Sequence, residues 1–172
     1  LSLIQAISPI GIILLHESTE DPISDALSRQ NIPIVVCGAL AVGRRFSSVH
    51  IDDMMATYDG MNYLIGIGHK EIGVISDNSH AISSGFQRIT GCKKAMEDAG
   101  LSLPETCIVH GGLTFEAGYK GAQQLLQQAA TISAIFAFSD DAAAGAIAYL
   151  QDAGKNVPDD ISVLGFDDNS LA

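Results

Sequence analysis

Short runs of consecutive apolar residues alternate along this chain with longer segments of helical periodicity. The apolar runs occupy residues 11–15, 32–38, 48–52, 71–76, 107–110, 134–138 and 161–166. A continuous apolar run bounded by Gly, Pro, Asp or Ser is typical of a strand that is buried on both faces. The pattern therefore predicts a set of short strands in parallel sheets.

Five segments between these runs have the length and spacing of helices. They cover residues 22–30, 54–67, 84–99, 115–130 and 141–153. In the second segment Met54, Met61 and Ile65 fall on one apolar stripe, and Gly68 supplies the left-handed residue that ends a helix. Strands that alternate with helices indicate an α/β fold with doubly wound parallel sheets.

The alternation of strand and helix is interrupted once, over residues 39–47, which have the character of a loop. We place a lobe boundary directly after this stretch. The N-terminal lobe then covers residues 1–50 and the C-terminal lobe covers residues 51–172. A chain of 172 residues is long enough for one ordinary domain or for two such small lobes.

Composition and charge narrow the class of protein. A chain that is 47% hydrophobic and 17% charged is too apolar to be intrinsically disordered. No apolar run approaches the roughly 20 residues that cross a bilayer, and the N-terminal segment lacks the marks of a signal peptide. The 9 Lys and Arg against 20 Asp and Glu leave a net charge of −11, which argues against direct binding to nucleic acid. We expect no membrane partner.

The cysteines Cys37, Cys92 and Cys107 are odd in number and far apart, and none belongs to a C-x-x-C motif. They predict neither a disulfide framework nor a thiolate zinc site, and they favour the reducing cytoplasm as the compartment. His69, which follows the helix-ending Gly68, has no partner typical of catalysis or metal binding. We interpret it as a structural cation or cap at the end of that helix.

The predicted strands end in polar residues, at positions 52–53, 76–78, 110–112, 139–141 and 167–169. Ligands of open parallel sheets bind at the carboxyl ends of the strands, so these positions form the candidate site. One alternative collects the acidic strand ends into a Mg²⁺ site of a phosphoryl-transfer enzyme. Against it, no strand ends in Lys, and both common phosphate-binding glycine motifs are absent. We predict no metal, cofactor or catalytic residue.

Two polar residues near helix starts admit more than one role. Arg88 lies early in its helix, where a cation opposes the helix dipole. It is a surface arginine, a partner of Glu97 or Asp98 (both too far along for i,i+4 pairing), or a donor to a ligand. Ser139 or Asp140 is expected to cap the helix that follows, which does not exclude a ligand contact from Ser139.

Six motifs in a fixed order give the chain a family resemblance. They are IPIVV at 32–36, the Asp52-Asp53 step, LIGIGHKEIGVI at 64–75, Arg88-x-x-Gly91, AIFAFSDDAAAGA at 134–146 and VPDDISVLGFDD at 157–168. With these motifs the chain resembles the effector-binding core of LacI-type bacterial transcription regulators, which share the periplasmic-binding-protein fold. The resemblance implies two doubly wound parallel-sheet lobes, of which the first is incomplete here.

The resemblance also implies a small-molecule effector, a sugar or a nucleoside-like compound, in the cleft between the lobes. Arg88 matches the family's effector-binding arginine, Ser84 matches a hydroxyl contact one turn earlier, and Asp167 matches an acid that hydrogen-bonds the ligand. Ser139 stands where relatives often carry Asn, and Leu113 where they commonly carry a stacking aromatic, for which the nearby Phe115 is a candidate substitute. Alanine at Arg88 or Asp167 is expected to abolish the effector response and leave the fold intact.

Two further residues depart from the family's pattern, and the same resemblance implies which partners the protein has. Asp53 replaces the usual Asn of the family, and Ala56 replaces its usual Gly. The family implies a cytoplasmic homodimer that contacts operator DNA only through a helix-turn-helix headpiece absent from this chain. The alternative is the solute-binding receptor of a transporter, and the Mg²⁺-dependent phosphoryl-transfer enzyme is a more distant one.

Overall fold

In a computed structural model of the chain, residues 6–15, 26–38, 46–77 and 84–170 are described. The chain divides into two compact units, Leu1–Asp52 with His80–Ser84, and Asp53–Ser79 with Gly85–Ala172. The lobe boundary after residue 50 stays a prediction. Residues 39–45 of the loop before it, and residues 22–25 of the first predicted helix, lie outside the described residues.

The described residues of the first unit form a three-stranded parallel sheet in the order β1-β2-β3. Its strands are β1 (Ile12–Leu15), β2 (Ile34–Cys37) and β3 (Ser47–Val49). Ile34 and Val36 of β2 are buried on one face of this sheet. On the other face Ile13 and Leu15 are 75% and 77% exposed, so this face is largely uncovered.

The second unit contains a four-stranded parallel sheet in the order β5-β4-β6-β7. Its strands are β4 (Ile72–Ser76), β5 (Ile108–His110), β6 (Ala134–Ala137) and β7 (Ser162–Leu164). A 3₁₀ turn over Glu105–Cys107 leads into β5. The helices are α1 (Asp53–Gly66), α2 (Ser84–Asp98), α3 (Phe115–Gln128) and α4 (Asp140–Asp152). Each of the apolar runs predicted from the sequence overlaps one strand.

Helices cover both faces of the second sheet. On one face, a Cβ at Gly60 of α1 would lie 2.9 Å from the ring of Phe136 on β6. On the opposite face, a Cβ at Gly121 of α3 would lie 3.1 Å from Ile75 on β4. The α2 helix packs on α1, and α4 packs on α3. The predicted doubly wound architecture is confirmed in this unit, and its core is the apolar layer on either side of the sheet.

Three helices end as the glycine pattern predicts. Gly68, Gly100 and Gly154 have φ values of +109°, +70° and +73°, in the left-handed region. After Gly68, the His69 N–H donates to the Leu64 carbonyl at 3.1 Å, which satisfies a carbonyl that the helix leaves open.

Candidate functional site

The polar strand ends of the second sheet lie along one edge. Because β4, β6 and β7 are parallel, the residues after them (Asp77, Ser139 and Asp167) follow the same edge of the sheet. Helices α2 and α4 each begin shortly after one of these strands, so their first turns face this edge as well. The carboxyl edge of the second sheet, as we call this region, is the candidate site that the sequence predicts.

Arg88, on the second turn of α2, is held by three contacts. Its Nε donates to Oδ1 of Asp53 at 2.8 Å, and its Nη1 donates to the Phe138 carbonyl at 2.7 Å. Its guanidinium carbon lies 3.9 Å from the centre of the Phe166 ring. The side chain therefore joins the start of α1 to the ends of β6 and β7, which accounts for a cation in the first turns of a helix.

The two hydrogen bonds of the Arg88 guanidinium use only part of its N–H donors. It carries five N–H groups in a planar fork. Asp53 and Phe138 take two of these, and within the described part of the chain the remaining three have no partner. The Arg88 side chain is 12% exposed, so these donors lie in a largely desolvated place where a ligand hydroxyl bonds strongly.

Sequence reasoning did not find the partner of Arg88. Glu97 and Asp98, weighed as partners along the helix, do not pair with it, and Asp98 instead pairs with Lys94. The partner is Asp53, the first residue of α1 and 35 positions away, with a side chain that is 10% exposed. The only signal in the sequence was the replacement of the family's usual Asn by Asp53.

Asp167 presents a carboxylate at this edge. The residue is exposed and has φ +110°, and Asp168 after it has φ +59°, so two consecutive non-glycine residues adopt positive φ. Backbone held in this region is concentrated at functional sites. Partial desolvation of the carboxyl raises the pKa of Asp167. The charge of Arg88 lowers this pKa, and the carboxylates of Asp140, Asp141 and Asp53 raise it.

Ser139 is mainly occupied by the protein itself. Its Oγ accepts the Ala142 N–H at 3.1 Å as the N-cap of α4, which confirms the predicted capping role. The same hydroxyl donates to the Leu113 carbonyl at 2.6 Å, and Ser139 is 4% exposed. Only one lone pair of this oxygen remains for a ligand, so a ligand contact from Ser139 stays a prediction.

The remaining predicted residues lie near the starts of helices. Leu113 precedes α3, and its half-buried side chain packs against the hydrophobic core of the second unit. Phe115, at the first position of α3, is 50% exposed. Ser84 opens α2 and is half-buried. Ligand contacts from Ser84 and Leu113 stay predictions.

Ser76, at the end of β4, also belongs to the carboxyl edge. Its Oγ is fully buried, and it is the one buried side-chain oxygen or nitrogen without a hydrogen-bond partner that the described residues contain. A buried hydroxyl without a partner costs free energy. Sequence reasoning noted the polar end of this strand but did not single out Ser76.

His69 has a different role from the predicted one. Its backbone N–H caps α1, but its ring lies between the hydroxyls of Ser133 and Ser162, at 2.8 Å from Nδ1 and 3.1 Å from Nε2. These serines stand at the starts of β6 and β7, at the edge of the sheet opposite to Arg88. The interpretation as a structural residue holds, whereas its side chain ties strands together rather than capping the helix.

The cysteines of this chain are free thiols. Burial raises the pKa of Cys92 to about 12. Within residues 6–15, 26–38, 46–77 and 84–170, no group of three or more His, Cys, Asp or Glu could hold a metal ion. None of the helices described here has the length and apolar character that a membrane crossing requires.

Comparison with known proteins agrees with this fold. The periplasmic binding protein-like domain family matches residues 61–172. The HTH-type transcriptional repressor CytR of Escherichia coli (strain K12) is 34% identical over 161 residues, which are 94% of this chain and 47% of the repressor. The chain spans about half the length of the curated relatives it matches.

Solved structures of transcription regulators also resemble this chain. A sugar-binding transcriptional regulator of the LacI family from Escherichia coli, solved with phosphate, has a TM-score of 0.83 and 30% identity and aligns over 99% of this chain and 62% of its own. The transcriptional regulator CelR–cellobiose complex has a TM-score of 0.90 and 30% identity and aligns over 99% of this chain and 54% of its own. These similar proteins are transcription regulators and not enzymes. The similar proteins are regulators of the LacI type, and the chain itself belongs to the periplasmic binding protein-like domain family.

Proposed function

We propose that this chain is the effector-binding core of a transcription regulator and that it binds a small polyhydroxyl molecule at the carboxyl edge of its second sheet. The observation that carries the proposal is that hydrogen-bond donors and an acceptor lie along the same edge. Arg88 holds three N–H groups without a partner in the described residues, and the carboxylate of Asp167 follows β7 at the same edge.

A sugar matches this set of donors and acceptor because each of its hydroxyls both donates and accepts a hydrogen bond. Arg88 donates to one hydroxyl oxygen and Asp167 accepts a proton from another, without any charge on the ligand. The CelR structure was solved with cellobiose, which supports a sugar as the effector class for this chain too. A nucleoside carries the same hydroxyls on its ribose and is the other effector class.

The proposed regulator acts through a shift in the populations of its conformations. An effector that binds one arrangement of the core more tightly than another favours that arrangement, and the change reaches the DNA-binding part. The relative CytR is an HTH-type repressor, which supports operator DNA as the partner, contacted through a headpiece outside this sequence. We also propose that the regulator is a homodimer and that it is located in the cytoplasm.

Binding of neutral sugars and nucleosides to the full-length gene product tests the proposal, by titration calorimetry. Asp167→Ala should weaken the affinity for the effector about tenfold to a hundredfold, because a hydrogen bond to a charged acceptor contributes about 1.5–3 kcal/mol. Asp168→Asn is the matched control, since it removes a neighbouring charge and Asn tolerates positive φ. Its affinity should equal that of the unchanged protein.

Full affinity in Asp167→Ala would contradict the assigned site, and failure of every neutral sugar and nucleoside to bind would contradict the function. Arg88→Ala is a less direct test of the assigned site than Asp167→Ala. It leaves Asp53 without its partner at a nearly buried position, which costs about 3 kcal/mol of stability. That this variant leaves the fold intact stays a prediction, which thermal unfolding of Arg88→Ala tests before its effector affinity is measured.

A further inference from the structure

Arg88 sits among carboxylates at the carboxyl edge. Asp53 contacts its Nε at 2.8 Å, and both side chains are about nine-tenths buried. The carboxylates of Asp140, Asp141 and Asp53 act electrostatically on Asp167, as does the positive charge of Arg88. The site therefore holds donor N–H groups in a region where negative charge exceeds positive charge.

The contact with Asp53 balances the positive charge of Arg88 but leaves most of its hydrogen-bond donors available. An arginine offers hydrogen-bond donors, and its charge also attracts anions such as phosphate or carboxylate. In this chain the Asp53 carboxylate balances that charge directly, while three N–H groups of Arg88 remain without a partner in the described residues. Partly buried charges are weakly screened by salt, so this balance persists at physiological ionic strength.

We propose that Asp53 is a specificity-determining residue that makes this site accept uncharged hydroxyl-bearing effectors and reject their phosphorylated or carboxylated counterparts. The inference rests on the proposed function, because it concerns the ligand class of the same site. An anion placed against the free N–H groups of Arg88 would lie close to the Asp53 carboxylate and near Asp167. Juxtaposed like charges disfavour such a complex, whereas a neutral hydroxyl meets no such cost.

Asp53 acts here through Arg88 and is a positioning residue. Asparagine at this position keeps an oxygen that can accept from Nε of Arg88 but removes the balancing charge. Asp53→Asn should therefore change the preference between neutral and anionic ligands more than it changes affinity for a neutral ligand. A residue with a purely structural role would weaken both kinds of ligand alike.

Inorganic phosphate is a suitable probe because it needs no knowledge of the natural effector. Phosphate binding to the full-length gene product is measured by equilibrium dialysis for the unchanged protein, Asp53→Asn and Asp168→Asn. We expect no saturable phosphate binding by the unchanged protein or by Asp168→Asn. Asp53→Asn should bind phosphate saturably, with an affinity at least about tenfold above the upper limit measured for the unchanged protein, given the strength of close charge pairs in a partly buried site.

Two outcomes of this experiment would overturn the inference. One is phosphate binding by Asp53→Asn that is no tighter than in the unchanged protein. The other is an equal gain in Asp168→Asn, which would reveal a general charge effect rather than a role for the Arg88 partner. Circular dichroism and thermal unfolding establish that each variant is folded.

A second measurement on the unchanged protein keeps the inference testable if Asp53→Asn does not fold. Each neutral sugar or nucleoside that binds is compared with its phosphate ester. The neutral form should bind at least about tenfold more tightly, because the ester phosphate meets the same carboxylates. Neutral binding with an equally tight ester overturns the inference and leaves the proposed function standing. Absence of binding by every neutral compound overturns both, since the site would not take the ligand class that the inference assigns to it.

Discussion

At the scale of single residues, the proposed site combines a restrained arginine with an acid in an unusual backbone conformation. Arg88 is positioned by Asp53, the Phe138 carbonyl and the Phe166 ring, so its free donors have a defined direction before any ligand arrives. Such preorganisation lowers the entropy cost of binding. In the proposed site Asp167 provides the acceptor, and its raised pKa would make the binding of a hydroxyl ligand sensitive to pH.

We predict that effector affinity falls as the pH is lowered. The pKa of Asp167 lies above its ordinary value of 3.8, so the carboxylate takes up a proton at a higher pH than a free aspartate does. The native state favours the protonated form, so ionisation of this group has its full cost in stability above the raised pKa. That cost declines as the pH falls through the raised pKa and is gone below the ordinary value of 3.8. A hydroxyl that donates to Asp167 requires the ionised form, and its affinity decreases in the same direction.

Titration calorimetry between about pH 4 and pH 7 measures this dependence. The unchanged protein should lose affinity toward the acidic end, by up to about tenfold per pH unit below the pKa. Asp167→Asn should bind more weakly and show a smaller change with pH. Equal pH profiles for the two proteins would exclude Asp167 as the titrating acceptor.

At the scale of helices and strands, close contacts between helices depend on glycine. A Cβ at Gly118 of α3 would overlap the carbonyl oxygen of Ala142, and a Cβ at Gly145 of α4 would overlap that of Phe115. Both obstacles are backbone atoms, which cannot move away as the end of a flexible side chain can. These two glycines let α3 and α4 approach closely and set the direction in which the first turns of both helices meet the carboxyl edge.

We predict that Gly145→Ala lowers the free energy of unfolding by about 3 kcal/mol, because it forces backbone apart in a packed interface. The matched control is Gly66→Ala at the last position of α1, where an added Cβ meets nothing within 4 Å. This control should be neutral or raise stability by about 0.4–1 kcal/mol, since alanine restricts the unfolded chain. Urea unfolding monitored by circular dichroism measures both. A loss in the control as large as in Gly145→Ala would refute the packing explanation.

At the scale of the whole molecule, the two sheets differ in how they are covered. Helices lie on both faces of the second sheet, whose central strands are fully buried. The first sheet leaves Ile13, Leu15 and Val49 exposed on one face. Parallel sheets are stable when both faces are covered. We therefore expect this face to be covered in the full-length gene product.

Leu15→Ser tests that expectation in the full-length gene product. If Leu15 is buried there, the substitution should lower the free energy of unfolding by about 2–3 kcal/mol, from lost apolar burial and an added hydroxyl. Ile67→Ser is the control, because Ile67 is 55% exposed beyond the end of α1 in the well-covered second unit. It should change stability by less than about 0.5 kcal/mol. A change of equal size in both variants would mean that Leu15 stays exposed.

The local features of this protein were determined by the sequence itself. The apolar runs predict the strands, and Gly68, Gly100 and Gly154 predict three helix ends, because these depend on a few neighbouring residues and on the backbone of glycine. The cap at Ser139 is equally local, since its hydroxyl meets an N–H three residues away. The polar strand ends also predicted the carboxyl edge, at which we propose that the ligand binds.

The tertiary structure alone decided which side chains meet. Arg88 joins Asp53 across 35 positions, His69 joins Ser133 across 64, and Ser139 donates to the Leu113 carbonyl across 26. These pairs form only when strands and helices distant in sequence are packed side by side, and no local pattern encodes which of many polar residues will be adjacent. The charge balance around Arg88, and with it the proposed choice of an uncharged effector, arises from packing for that reason.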